Sequence, residues 1–199
     1  MSQHYYSKRP DVRHDRKTID TELRGRKLRF TSDAGVFSKG DIDYGSRVLI
    51  EMMEIAPDAK VLDIGCGYGP IGISAALLAE QGHVTMVDIN ERAVELAAEN
   101  AARNGAGNVT VLQSDIAAAL NDDKFDVVLT NPPIRAGKSV VHAVFEQAYH
   151  HLEQNGELWV VIQKKQGAPS AAAKLEELFG EVEEMGKDRG YRILKAKKS

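Results

Sequence analysis

Four short segments carry residues whose types and spacing suit chemistry on a small, flat, charged molecule. The first, Asp63-Ile64-Gly65-Cys66-Gly67-Tyr68-Gly69-Pro70, places three glycines at alternate positions directly after an apolar run. Glycine allows a tight turn there with no Cβ between the main chain and a ligand. The second and third, Met86-Val87-Asp88-Ile89-Asn90 and Gln113-Ser114-Asp115-Ile116, each end a strand-like run on an aspartate. A carboxylate at Asp88 can accept from both hydroxyls of a ribose. Asp115 can accept from an adenine amino group, with Ile89 or Ile116 covering the ring. The fourth, Asn131-Pro132-Pro133-Ile134-Arg135, fixes the backbone with two prolines and removes two N–H donors, leaving carbonyls to face a ligand. The Asn131 side-chain oxygen and the Pro132 carbonyl can each accept one hydrogen of an exocyclic amine and aim its nitrogen.

Two cofactor classes compete for the glycine turn. Gly67-x-Gly69-x-x-Gly72 satisfies the dinucleotide fingerprint, and Asp88 follows at about the distance that fingerprint asks. Pro70 opposes it, because a pyrophosphate at a helix start wants N–H groups and proline has none. Asp63 opposes it too, since a carboxylate repels phosphate and attracts a cation. S-adenosylmethionine carries an ammonium and a sulfonium and no phosphate, and is the better match. Each feature also has a plain alternative: a close strand-to-helix turn for the glycines, a helix cap for Asp115, an ordinary turn for Asn-Pro. Their recurrence at successive strand ends is what favours a nucleoside.

The elements that must position these segments alternate along the chain. KVLDI, HVTMVDI, NVTVLQS, FDVVLT and GELWVVIQ read as strands, and PIGISAALLAE, ERAVELAAENAARN, SVVHAVFEQAYHHL and SAAAKLEELFG as helices. That alternation predicts an α/β fold, a Rossmann-like, doubly wound and mostly parallel sheet, with ligands outside the carboxyl ends of its strands. EVEEM and YRILKAK add a C-terminal antiparallel pair. Ahead of the sheet, residues 1–17 lack an apolar period and read as an extended basic arm. Residues 18–42 supply a β-hairpin (TIDTEL, RGRK, LRFT) and a glycine-rich loop. Asp43 or Ser46 caps a helix expected to run through RVLIEMMEIA to Pro57. The domain proper is expected over 18–199.

Composition sets the outer bounds. A chain of 199 residues, 43% hydrophobic and 28% charged, is one globular domain or a domain with a small appendage, which excludes a disordered tail and a multi-domain machine. No apolar run approaches the roughly 18 residues of a membrane span, the N-terminus is too charged for a signal peptide, and Cys66 is alone, so a soluble, cytoplasmic protein is expected. The net charge of −3 hides two basic ends: residues 1–30 carry +5 and residues 186–199 carry +5, leaving an acidic middle. Folded onto one side, the ends would make a basic rim for a polyanion such as RNA; as solvated ends they would serve solubility alone. His142, His150 and His151 share one predicted helix without metal-ligand spacing, so no metal is expected. Cys66 has no identifiable base, and Trp159 reads as sheet core. Tyr5 and Tyr6 in the arm could stack on bases or pack on the domain.

DIGCGYGPIG, VDIN and NPPI together resemble the class I S-adenosylmethionine-dependent methyltransferases, in their "methyltransferase small" branch. GVFSKGDIDYGSRVL, NPPIRAGK and GYRILKAKK narrow the likeness to the catalytic domain of ribosomal small-subunit RNA guanine-N2 methyltransferases and their single-domain relatives, over residues 18–199. The resemblance implies that Asp63, Gly65, Gly67 and Gly69 lie against the methionine part of the cofactor, Asp88 on its ribose and Asp115 at its adenine. It implies that Phe37, Ser38 and Gly40 close over the cofactor, and that Asn131, Pro132, Pro133 and Ile134 hold the target amine. Tyr191 and Arg192 of the terminal motif become candidates for RNA contact. The second, N-terminal half of the family's two-domain members has no counterpart here, which leaves RNA docking to the arm, the hairpin or a homodimer partner.

One departure separates neighbouring activities. Adenine-N6 and glutamine-N5 methyltransferases usually carry an aromatic after the two prolines, and Ile134 stands there instead, which weakens an adenine target. Arg135 and Lys138 can contact phosphate or a guanine edge. The sequence therefore points to methyl transfer onto guanine N2 of ribosomal RNA. The competing readings are a protein glutamine or small-molecule N-methyltransferase, a non-catalytic cofactor-binding module of ribosome assembly and, more remotely, a nicotinamide oxidoreductase.

Overall fold

The computed structural model describes residues 6–199; Tyr5 lies outside the described residues. The glycine at the hairpin tip decides the start of the fold. Arg24 and Gly25 both take positive φ (51° and 76°), the conformation a two-residue hairpin turn requires. They join β1 (Lys17–Leu23) to β2 (Arg26–Ser32) as a separate two-stranded sheet. Its inward residues Ile19, Leu23, Leu28 and Phe30 alternate with charged outward ones, so one face of the hairpin is buried.

The following helix, α1 (Tyr44–Met52), is capped by Asp43, whose carboxylate accepts from the Ser46 N–H at 3.1 Å. It stops at Met52 rather than reaching Pro57, because Met53 is extended and the terminal carbonyls are taken elsewhere. The Arg24 guanidinium accounts for three of them, donating to the carbonyls of Ile50, Glu51 and Met53 at 3.0–3.2 Å. A side chain from the hairpin tip thus ends α1 before its proline does.

Beyond it the chain alternates as expected: β3 (Lys60–Ile64), α2 (Pro70–Leu78), β4 (His83–Asp88), α3 (Glu91–Arg103), β5 (Val109–Gln113), β6 (Phe125–Thr130), α4 (Lys138–His150), β7 (Leu152–Gln163), α5 (Ala168–Phe179), β8 (Val182–Asp188) and β9 (Tyr191–Lys197). The order β5-β4-β3-β6-β7-β9-β8 is parallel from β5 to β7 and antiparallel beyond it. The segment DIAAAL makes only a single 3₁₀ turn, Ala118–Leu120. β7 starts four residues before GELWVVIQ, pairing Leu152 with Phe125 across an irregularity in which Asn155 takes a φ of 67°. Period-2 alternation splits the core. Val61, Leu129 and Trp159 face α1, α2 and α3, while Leu62, Val128 and Val160 face α4 and α5.

The described part of the arm lies against the domain. The Lys8 carbonyl accepts from the Glu91 N–H at 3.0 Å, and the Pro10 and Val12 carbonyls accept from Arg92. Arg9 pairs with Glu91, Arg16 with Glu99 and His14 with Asp33. Burial works against the Asp33 carboxylate, but hydrogen bonds from His14 and from the N–H groups of Asp15 and Ala34 outweigh it and hold its pKa below the usual range. The two basic ends do not share a side: the arm follows α3 and the β4–β5 end of the sheet, whereas β8 and β9 form the opposite end. Among the described residues no helix is long and apolar enough to cross a membrane.

Candidate active site

Strand order reverses at β3, which has β4 on one side and β6 on the other, and a crevice opens at the carboxyl ends of these strands. About 690 Å³ of space lies within it, open solvent included. Gly65 and Gly67 line its floor, Asp88, Ile89 and Asn90 the wall after β4, Ser114 and Ile116 the wall after β5, and Asn131, Pro132 and Pro133 the end after β6. Val36 and Phe37 of the loop before α1 and Tyr6 of the arm complete it. A neighbouring recess shares Phe37, Gly65, Gly67 and Asn131 and adds Ser38, Asp43, Ser46 and Tyr68.

The glycines have distinct tasks. Gly65 and Gly67 have φ of 75° and 56°, and a Cβ on either would project into open space, so the bare main chain forms the floor. Gly72 serves packing, since a Cβ there would come within 2.4 Å of the Met86 side chain. The turn's N–H groups are largely spent internally. Those of Gly65 and Cys66 reach the Val87 carbonyl, that of Gly69 the Cys66 carbonyl, and that of Gly67 the Asp88 carboxylate at 2.8 Å. Pro70 opens α2 with no N–H at all. A pyrophosphate would find almost no donors here, which disposes of the dinucleotide reading.

Carboxyl groups, by contrast, gather beneath and beside the floor. Asp63 is fully buried, and neither of its oxygens has a hydrogen-bond partner among the described residues. Burial pushes its carboxyl up to about 8, the nearby Gly72 N–H lowers it by less, and the Asp88 charge raises it further. Asp88 stands at the crevice wall, held by the N–H groups of Asn90 (2.9 Å) and Gly67. Burial still raises its pKa against their pull. A buried carboxyl that a nearby cation would drive to ionise, next to a floor whose N–H groups are largely spent, fits a cationic ligand without phosphate, as S-adenosylmethionine is.

At the β6 end, Asn131 is fixed. Its Nδ2 donates to Asp43 Oδ2 at 2.9 Å and to Ser46 Oγ at 3.0 Å. A carboxylate can only accept, so the amide nitrogen must face Asp43, and Oδ1 is left as the acceptor. The Pro132 carbonyl already accepts from the Ile134 N–H at 2.9 Å, which leaves it one lone pair.

The expected residues do not all meet here. Gly65, Gly67, Asp88, Ile89, Ile116, Asn131, Pro132, Pro133 and Phe37 line the crevice, and Ser38 the recess. Asp63 lies under the floor, and Gly69 is buried as the cap of α2. Asp115 is exposed, with its neighbour Ser114 lining the wall instead. Gly40 is exposed on the loop, and Ile134 packs against the core around α4 and α5. Arg135 and Lys138 are exposed beyond the prolines; Tyr191 and Arg192 stand at the start of β9. Sequence reasoning missed Tyr6 as part of the pocket, along with Asp43 and Ser46 as the holders of Asn131. Their only signal was the helix-cap pattern, which hid the second use of both side chains. Cys66 is buried, and burial raises its thiol well above the ordinary range, so it is no nucleophile. No group of three metal-ligating side chains occurs among the described residues.

Residues 27–195 match the methyltransferase small domain family. The Bacillus subtilis (strain 168) protein YbxB is 54% identical over 201 residues and covers both chains fully. The ribosomal RNA large subunit methyltransferase G of Pseudomonas putida (strain W619) is 36% identical over 177 residues, 86% of this chain. The chain spans only 46% of that relative's length. Among solved structures, the Thermus thermophilus 16S rRNA N2 G1207 methyltransferase RsmC, in complex with AdoMet and guanosine, superimposes with a TM-score of 0.83 at 27% identity. The match covers 92% of this chain and 51% of that one. With a phosphate-averse floor, a buried carboxylate and an oriented asparagine at one topological switch point, the chain belongs to the methyltransferase small domain family, and its cofactor is S-adenosylmethionine.

Proposed function

We propose that the protein transfers a methyl group to the exocyclic N2 amine of guanine in ribosomal RNA. The observation that carries this is the fixed amide of Asn131, with Nδ2 held by Asp43 and Ser46 and Oδ1 left to accept, beside the remaining lone pair of the Pro132 carbonyl. Those two acceptors take the two hydrogens of an amine and fix its nitrogen in the crevice. The cofactor supplies an electrophilic methyl on a sulfonium. The chain's own residues then contribute orientation, which supplies most of the acceleration for an in-line displacement. No strong base is needed, because the nitrogen becomes acidic as the new C–N bond forms and its proton then leaves. Asp88 accepts from the ribose, Gly65 and Gly67 let the methionine part lie on the main chain, and Ile89, Ile116 and Tyr6 enclose the adenine. Guanine is favoured over adenine by Ile134, which packs into the core and offers no stacking face. The names of the relatives, one acting on the large subunit and one on 16S rRNA, support ribosomal RNA as the substrate class.

The test is transfer of labelled methyl from S-adenosylmethionine to both ribosomal subunits and their naked RNAs, taken from cells lacking the protein, followed by digestion to nucleosides. Label in N2-methylguanosine, lost with Asn131→Ala while cofactor affinity holds, is the expected result. Unlabelled RNA alongside intact cofactor binding overturns the guanine assignment, and loss of cofactor binding in Asn131→Ala overturns the role given to that residue.

A further inference from the structure

The sequence offers two equally basic ends for RNA, and the structure treats them differently. In the arm, Arg9 and Arg16 are spent on Glu91 and Glu99; Lys8, Arg13 and Lys17 form no ion pair among the described residues, but the arm's backbone is tied to the cofactor side of the crevice. At the other flank, Lys164, Lys187 and Arg189 line one groove, and none of the three has a carboxylate partner among the described residues. The two acids of that groove are engaged: Glu184 pairs with Arg192, and Asp188 accepts from the Tyr44 hydroxyl.

The groove lies where a strand leaving the active site would pass. β6, β7 and the start of β9 are neighbours, so the segments after Thr130 and Gln163 and before Tyr191 all emerge at the carboxyl edge of the sheet. The Lys164 N–H bonds the Gly190 carbonyl at 2.8 Å, tying the two cationic segments together. Between groove and crevice stand Tyr44 and Tyr191, with ring centroids 5.9 Å apart and the Arg189 guanidinium 5.0 Å from the Tyr44 ring. Tyr44 follows Asp43, the residue that holds Asn131, and Tyr191 packs so closely on Gly45 that a Cβ there would lie 2.8 Å from its ring. Unpaired cations beside aromatic faces, leading away from an amine-orienting asparagine, are the components of a single-strand nucleic-acid track.

We infer that the RNA strand flanking the target base runs across this groove, its phosphates on Lys164, Lys187 and Arg189, and that the N-terminal arm is not its docking site. This rests on the RNA reading above. The track predicts a salt-dependent contact of about three phosphates, each contributing about 0.7 to the slope of log affinity against log salt.

The test measures binding of ribosomal RNA fragments across a salt series, with methyl transfer in parallel, for two charge-matched variants. Lys164→Glu/Lys187→Glu/Arg189→Glu is expected to weaken RNA binding roughly tenfold or more near physiological salt, to flatten the salt slope by about 2, and to raise KM for RNA. Its affinity for S-adenosylhomocysteine, which also reports folding, stays at the wild-type value. Lys8→Glu/Arg13→Glu/Lys17→Glu is expected to leave RNA affinity within about twofold. Equal losses in both variants, or an unchanged groove variant while wild type methylates RNA, overturn the track alone. A wild-type protein that neither binds nor methylates RNA overturns the underlying reading and the track with it.

Discussion

Replacing Asp63 by asparagine isolates the cost of holding a titratable carboxyl buried beneath the floor. Asp63 has no hydrogen-bond partner among the described residues, and burial lifts its carboxyl from 3.8 to about 8. Between those values the folded chain keeps a proton that the unfolded chain has released. The folded state therefore binds more protons, and stability falls as pH rises, by up to about 1.4 kcal/mol per pH unit for this group. The contribution is fully present below about pH 4 and is lost by about pH 8. Asp63→Asn keeps the shape and cannot ionise, so it escapes that slope. Relative to wild type, the variant is expected to gain about 4 kcal/mol between pH 5 and pH 8, an upper figure set by complete burial. Urea unfolding of both proteins at several pH values in that window measures the difference, the titrations of groups away from Asp63, Asp88 and Cys66 cancelling. A stability difference that does not change with pH would refute the reasoning, since the group would then ionise alike in both states.

Three further outcomes follow from the site. Tyr6→Ala is expected to weaken S-adenosylhomocysteine binding by roughly tenfold, the scale of one aromatic stack, with Tyr6→Phe close to wild type in calorimetry. Equal affinities in all three would remove Tyr6 from the pocket wall. Asp43→Asn and Ser46→Ala are each expected to lower kcat by about tenfold with KM and cofactor affinity nearly unchanged, because each frees the Asn131 amide to turn. A pure loss of thermal stability, with kcat intact, would make them structural caps only. Cys66 is expected to resist iodoacetamide in the native protein and to react on unfolding, as mass spectrometry would read; rapid native alkylation would contradict its burial.

The sheet was legible because its strands are apolar runs of the right length, alternating with helices of clear period, and the four functional turns sit at strand ends where the topology sends ligands. What stayed hidden depends on contacts between distant segments. The end of α1 is set by Arg24, a residue 28 positions before Met52, and no local signal competes with Pro57 to mark it. The early start of β7 depends on Leu152 finding Phe125, a pairing between distant segments. Ser114 lines the crevice while Asp115 is exposed beside it, because one residue of register decides which side chain faces inward. The arm's course along α3 rests on backbone carbonyls, which carry no sequence signature.

α1 is clamped at both ends, by Asp43 against Asn131 at one and by Arg24 from the hairpin tip at the other. The hairpin is thereby a lever on chemistry it never touches. One helix of nine residues joins the contact at the hairpin tip to the side chains that hold Asn131. The family boundary at residue 27 cuts through this lever, leaving Arg24 and β1 outside. A fragment trimmed to that boundary would keep every side chain of the crevice except Tyr6 and still lose the Arg24 contacts at the far end of the helix whose other end holds Asn131. The contacts that hold Asn131 and its supporting helix thus draw on a longer stretch of chain than the one that carries the recognisable motifs.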